Sequence, residues 1–436
     1  MKKITILLAM MLVTFTACNN EDFEEISLES KREKISYEVT PEEAVSRLGM
    51  FLSNKGTRAS LNDVTIKTLM KSDFVPTTRS SDVEDAPAVY LIDIPDGGCA
   101  IMGADKRLEP VYAIMDETKL SPEDLIATST RTESTGEEDI QTFVTGLIND
   151  AVEADIKGIP IIKDTTELIP NPLPHHEEWY DTTYHFKVNP LLKTKWDQHA
   201  PFNENYPDHS LNVKELAGCG VIATAQLVYY NRYPSSVSGV NFNWDLISRY
   251  EYVEQPSVSA DTAVANFVFT LACAVGANWN YHPEIGTTTT DSGLRNFFRN
   301  NGYPNANFYL YSLPSVNNML NDNKPVIISG RQSDKEIGHS WIIDGCNIYR
   351  MDHWIKEYIF PVPIDGDPYN EYILETINCN LVHCNYGWGG ICDGYYTSGI
   401  FDTRTVLDQM SIDPSIGDIS YEGESNYDTN LRIMQY

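Results

Sequence analysis

The order in which patterns appear along the chain predicts an α+β protein. Three observations carry that prediction. Between Cys219 and Asp322 the apolar residues fall into helical stretches. From Val326 onward, short β-branched and aromatic runs alternate with Gly and Asn, which is how antiparallel strands read. Helices first and strands second is an α+β order. The length, 436 residues, exceeds what one compact core accommodates, so a second and smaller domain is expected.

In the N-terminal part, Pro41 to Leu52 reads as a helix with Thr40 as its N-cap. Ser53 to Asp85 is rich in Ser, Thr, Arg and Lys and reads as a mobile connection. Ala88–Ile94 is a strand, Asp96-Gly97-Gly98 a turn, Cys99–Met102 the returning strand, and Leu108–Ile114 a further strand. These pieces make a small α+β domain in which no nucleophile stands beside a base. A helix from about Glu138 to Lys157 leads into Pro170-Asn171-Pro172-Leu173-Pro174-His175-His176, an extended and exposed linker. His175 and His176 read as solvent-facing residues, not ligands.

In the C-terminal part, Cys219 opens a helix reaching Tyr230. Further helices are expected at Asp261–Ala277, at Asp291–Asn300 with Gly302 as the stop, and at Val316–Asp322 with Ser315 as the cap. Strands are expected at Val326–Ser329, His339–Ile348, Tyr372–Cys379, Leu381–Asn385 and Gly394–Tyr396. Trp279-Asn280-Tyr281-His282 reads as packing or cleft wall.

Charge and targeting narrow the function classes. Lys plus Arg is 32 against 62 for Asp plus Glu, a formal net charge of −30. Such a surface repels nucleic acid and anionic lipid, and no phosphate-cradling loop accompanies it. Gly387-Trp388-Gly389-Gly390 lacks the Gly-x-Gly-x-x-Gly register of a dinucleotide site. No cofactor is implied. Met1-Lys2-Lys3, the apolar run Ile4–Val13 and Phe15-Thr16-Ala17-Cys18 read as a secretory signal over residues 1–17. Cys18 stands where a bacterial lipoprotein is cut and acylated, and Asn19 to Glu25 is an acidic tether. The expected location is therefore outside a bacterial cell, lipid-anchored at the outer membrane or surface, with release after maturation a further option.

Eight cysteines are present. Apart from Cys18 and Cys219 they are scattered, and the chain is long enough to fold without disulfides. A Cys384–Cys392 pair is left open. Cys379, His383, Cys384 and Cys392 match no common zinc spacing, and Cys379 and Cys384 fall on opposite strand faces. No metal site is expected.

Three segments carry chemistry. Leu216-Ala217-Gly218-Cys219-Gly220-Val221-Ile222 places a thiol at a helix N-terminus, where free N–H groups favour the thiolate. Flanking glycines let another chain segment come close. Gly338-His339-Ser340-Trp341 places an imidazole at the start of a strand. His383-Cys384-Asn385-Tyr386-Gly387-Trp388 supplies a carboxamide followed by an aromatic shield. Cys, His and Asn in that order suit a thiolate nucleophile, its base, and a group orienting the base. Upstream, Gln198 in Trp196-Asp197-Gln198-His199-Ala200-Pro201-Phe202-Asn203 could pair with the Cys219 N–H to hold an oxyanion. Taken singly, each has a plain reading: a core cysteine, a satisfied strand-edge histidine, a turn asparagine, a loop glutamine.

Together these segments resemble the streptopain family of papain-like bacterial cysteine peptidases. The likeness runs from about Leu191 to Trp388, and Asn385-Tyr386-Gly387-Trp388-Gly389-Gly390 is its most specific stretch. Asn243-Trp244 is a further landmark. Tyr386 stands where the family usually has Trp, and Gly220-Val221-Ile222 departs from the usual Val-Ala-Thr. The resemblance implies a two-lobed papain-like catalytic domain over 186–436 and a small α+β inhibitory pro-domain, with the acidic tether, over 18–157. A linker over 158–185 would hold the maturation bond. The resemblance also implies Cys219, His339, Asn385, Gln198 and Trp388 as site residues, polypeptide substrates, the pro-domain as intramolecular inhibitor, and a preference for an apolar side chain two positions before the scissile bond. Two other readings share these residues: an acyl-transferring relative, transglutaminase- or amidase-like, and a non-catalytic surface-binding lipoprotein.

Overall fold

Why the strands of this chain are apolar on both sides becomes plain once they are placed. The computed structural model describes residues 37–54, 63–75, 85–95, 97–126, 140–159, 176–210, 213–251, 257–279, 287–331, 338–359, 367–401 and 431–436. All belong to one unit of the contact map. The other unit, 1–36 with 162–171, lies outside the described residues. The signal, Cys18 and the central part of the linker, including His175, therefore fall outside them.

The N-terminal elements are α1 (Pro41–Asn54), β1 (Thr65–Met70), α2 (Lys71–Phe74), β2 (Pro87–Asp93), β3 (Cys99–Gly103), β4 (Val111–Met115), α3 (Pro122–Ile126) and α4 (Ile140–Gly158). Next come β5 (His176–Val188), the ribbon β6 (Asp208–Ser210) and β7 (Val213–Lys214), and α5 (Cys219–Asn231). A second ribbon, β8 (Ser236–Val237) and β9 (Val240–Asn241), precedes α6 (Trp244–Ile247), α7 (Val258–Val275) and α8 (Asp291–Asn300). The C-terminal elements are β10 (Asn307–Leu310), α9 (Leu313–Asn321), β11 (Val326–Arg331), β12 (Gly338–Tyr358), β13 (Tyr369–Asn385), β14 (Gly394–Thr397) and β15 (Arg432–Gln435).

One sheet of eleven strands unites both parts in the order β1-β2-β3-β4-β14-β13-β12-β11-β15-β10, with β5 paired to the outer reach of β12. The seam is β4 against β14, antiparallel, with Tyr395 opposite Ile114. Residues of opposite parity on the central strands enter different cores. Trp341 and Ile343 of β12 join a core with Phe143, Val144 and Leu147 of α4, while Ile342 joins Val221, Ile222 and Phe267 of α5 and α7. The sheet is thus covered on one face by the α5–α7–α8 lobe and on the other by α4 and α9. A third core joins α1 to β2 and β3 and to the far ends of β12 and β13.

The α+β order holds, with differences in detail. Part of the expected mobile connection forms β1 and α2, because Thr65–Met70 pairs with β2. Residues 176–185, expected in an extended linker, form most of β5 and pair with β12. Backbone pairing holds β5 in place although most of its side chains are exposed, so little in its hydrophobic pattern announced it. The two expected strands Tyr372–Cys379 and Leu381–Asn385 are one, because Asn380 is an outward-facing residue paired with Ile348, not a break. α9 starts earlier than expected: Ser312 occupies the N-cap position and proline sits in the first turn, so Ser315 lies inside the helix. The expected Thr40 cap is present, its Oγ1 accepting from Glu43 N at 3.2 Å. All seven cysteines among the described residues are free thiols, Cys384 and Cys392 included.

Candidate active site

Gly218 makes the turn into α5 possible. Its φ is +91°, and a Cβ there would lie 2.8 Å from the Thr287 carbonyl oxygen, so a side chain would collide with a neighbouring segment. The turn delivers Cys219, half-buried, to the first position of α5. Its Sγ accepts from Ser340 N at 3.4 Å. The helix N-terminus was expected to lower this thiol. Here burial pushes it up instead, against the amides of Ser340, Gly220 and Cys219 itself.

His339 is the second residue of β12, paired with Gly330. Its neighbour Ser340 touches the thiol, yet the imidazole is on the other face of the sheet. Its ring sits 5.3 Å from Phe143 of α4 and stacks near Trp341 at 5.9 Å and Tyr386 at 6.1 Å, centroid to centroid. Nε2 lies 3.3 Å from the Tyr386 carbonyl, a distance at which Nε2–H donates. Burial lowers this imidazole to about 4, so it is neutral here. Residues of adjacent parity on a strand face opposite ways. The register that sets Ser340 N on the sulfur therefore turns His339 away from it.

Asn385, 5% exposed, does not reach His339 either. Its Nδ2 donates to Thr194 O at 2.7 Å, and its Oδ1 accepts from Gln226 Nε2 at 3.0 Å and Gly387 N at 3.1 Å. Gln198 is buried, and its carbonyl accepts from Ala217 N at 2.9 Å, which ties the segment to the turn before Cys219. Trp388 packs at the edge of the α4-side core, its ring 6.0 Å from that of His199. The structure thus brings Cys219, Gln198 and the strand bearing His339 together, and leaves the imidazole apart from both Cys219 and Asn385.

Four contributors escaped the sequence reading: Phe143, which covers the imidazole; the Tyr386 carbonyl, which accepts from it; and Gln226 with Thr194, which hold Asn385. Phe143 and the Tyr386 carbonyl carry no local signal. Gln226 did carry one, as an amide inside an otherwise apolar helix. Beyond the site, His383 and Asp344 form a buried pair at 2.6 Å, and the aspartate raises the imidazole against the pull of burial. Asp344 also accepts from Leu192 N, so this pair braces the strands. Among the described residues no cluster of His, Cys, Asp or Glu could hold a metal ion.

Residues 196–396 match the model of the peptidase C10 family. Streptopain from Streptococcus pyogenes serotype M28 is 23% identical over 354 residues, covering 71% of this chain and 73% of its own, and a second Streptococcus pyogenes streptopain is 22% identical over the same span. A fragment of Prevotella intermedia prointerpain A superposes with a TM-score of 0.50 at 16% identity, covering 86% of this chain and 98% of the fragment. That superposition shows a shared fold, a mixed helix and antiparallel-sheet structure.

Proposed function

We propose that the chain is a papain-like cysteine peptidase of the streptopain family and that the structure is the latent form of a secreted endopeptidase, with Cys219 as nucleophile and His339 as base. In the working state the Cys219 thiolate adds to a peptide carbonyl carbon, forming a C–S bond and an oxyanion. Gln198 and the Cys219 N–H stabilise that oxyanion. The His339 imidazolium gives its proton to the leaving nitrogen as the C–N bond breaks. The imidazole then takes a proton from water, whose oxygen attacks the thioester, releasing the acid and restoring the pair. Asn385 orients the ring, and Trp388 shields that contact.

The observation that carries this reading is Ser340 N on Cys219 Sγ, which sets the residue next to the base against the nucleophile. His339 then needs only to leave the face where Phe143 holds it. Gly338 and His339 are the first residues of β12, so a local peeling of two strand pairs, with Arg331 and Gly330, suffices. Part 18–157 acts as the inhibitory domain through α4, and maturation within 158–185 releases it. Domain 186–436 is the peptidase. Residues 1–17 direct export, Cys18 carries the lipid, and the substrates are polypeptides with an apolar side chain two positions before the scissile bond.

The test is a fluorogenic peptide assay on the purified full chain beside Cys219→Ala. The wild type is expected to shorten itself, cleave peptide and bind a thiol-directed peptide inhibitor, and the variant to do none of these. A wild type that does none of them ends the reading.

A further inference from the structure

Helix α5 carries two polar side chains that its apolar surroundings do not explain. Thr224 is accounted for by its own helix, donating back to Gly220 O at 2.8 Å. Gln226, completely buried, is different. It closes a ring with two other buried residues. Thr194 Oγ1 donates to Gln226 Oε1 at 2.5 Å, Gln226 Nε2 donates to Asn385 Oδ1 at 3.0 Å, and Asn385 Nδ2 donates to Thr194 O at 2.7 Å.

The ring works in only one sense. A backbone carbonyl cannot donate, so Thr194 O forces the Asn385 NH2 toward itself and Oδ1 away from it. Gly387 N confirms the orientation, since it too needs an acceptor. The Asn385 Oδ1, which can only accept, fixes the Gln226 amide in turn, and the Thr194 hydroxyl donates to its Oε1. Reversing either carboxamide would set like groups against each other in a dry interior, where an unmet polar group is costly.

We propose that Gln226, held by Thr194, is a positioning residue that fixes the Asn385 carboxamide with Oδ1 toward α5 and the Gly387 amide, so that its orientation is set before the His339 ring arrives. Gln226 lies on the helix that Cys219 opens. The nucleophile and the group that orients the base are thereby held by one rigid element, and only the imidazole travels on activation. The proposal rests on the catalytic roles given above to Cys219, His339 and Asn385.

The experiment uses the full chain after self-processing, as wild type, Gln226→Met, Gln226→Glu, Thr194→Val and Thr194→Ser. The readouts are kcat, KM and the pH profile of Cys219 alkylation by iodoacetamide. The wild type shows alkylation at pH values below those of a free thiol, the mark of a thiolate–imidazolium pair. Gln226→Met, matched in length but without an amide, is expected to lose about tenfold or more in kcat, the scale of one lost catalytic hydrogen bond, with KM within about twofold. Its alkylation profile shifts toward the free thiol. Gln226→Glu, which cannot donate when ionised, behaves alike. Thr194→Val shows the same shift in smaller measure, and Thr194→Ser, which keeps the hydroxyl, restores it. A folded Gln226→Met with wild-type kcat and alkylation profile overturns the proposal, as does a variant whose melting temperature alone falls. If the wild type itself lacks the low-pH alkylation, the ion-pair reading fails first and the positioning role falls with it, an outcome distinct from a wild-type pair that ignores Gln226.

Discussion

The two sides of the candidate site differ in how finished they are. On the helical side, Gly218, Cys219 and Gln226 form one tied assembly with Asn385 at the end of β13: the turn is fixed by its close approach to Thr287, and the carboxamide by buried partners. On the sheet side, the proposed base sits near the start of β12, on the face away from Cys219, under a phenyl ring supplied by α4. On the proposed reading, latency lies in a single side chain and its cover: the N-terminal part contributes Phe143, which packs against the imidazole.

The comparison breaks most sharply if the nucleophile is not what makes the site work. Cys219→Ala should cost at least about a thousandfold in peptide hydrolysis, since removing a nucleophile leaves only oxyanion and binding effects. Retained hydrolysis would move the chemistry elsewhere.

Phe143→Ala tests the sheet side. Truncating a buried phenylalanine costs about 3 kcal/mol or more, here charged to the captured state. The uncut variant should react with a thiol-directed peptide inhibitor at least tenfold faster than the uncut wild type, while the processed enzymes remain equal, a consequence of the same lost packing. Equal rates in the uncut chains would mean that α4 is not the clamp.

Gly394→Val tests the seam instead of the clamp. A Cβ at 394 would lie 2.3 Å from the Ile114 carbonyl oxygen, inside the β4–β14 pairing. Overpacking of this kind costs about 1–3 kcal/mol and should speed self-processing less than Phe143→Ala does. Limited proteolysis of β4 in an inactive Cys219→Ala background reads the same loosening directly.

The smallest effect is one of pH. Glu109, facing Asp155, Tyr112 and Thr397, has its carboxyl pushed up to about 7 by burial and then by the Asp155 charge. The docked state favours its neutral form. Its contribution is complete below about 4.5 and lost as pH rises through about 7. Asp393, raised to about 7 chiefly by burial, has the same sign. His339, lowered to about 4, has the opposite one: its captured position is favoured above 6.5 and lost as pH falls through 4. Between pH 6 and 8 the two carboxyls change charge and the His339 ring does not. Glu109→Gln should then flatten the rise in self-processing rate over that range relative to wild type. A parallel rise in both chains would remove Glu109 from the account.

Much of this was legible beforehand. The Gly-Cys-Gly turn, the Gly-His strand start and the Asn-x-Gly-Trp-Gly-Gly loop each write their local geometry in small and aromatic residues. The Trp341-Ile342-Ile343 run announced a strand, although not that both of its faces are buried. β5 was misread because its pairing is a backbone matter, and β10 and β15 were missed for want of length, four residues each.

Sequence alone determined which groups are available to react and which backbone turns can present them, because glycine, thiol, imidazole and carboxamide bring their functional groups wherever the chain places them. Which face of β12 His339 occupies, and what covers it there, was decided only by the tertiary structure. Strand register is a property of two partners, and Gly330 and Phe143 lie far from His339 along the chain, or on another element altogether, while standing against it in space.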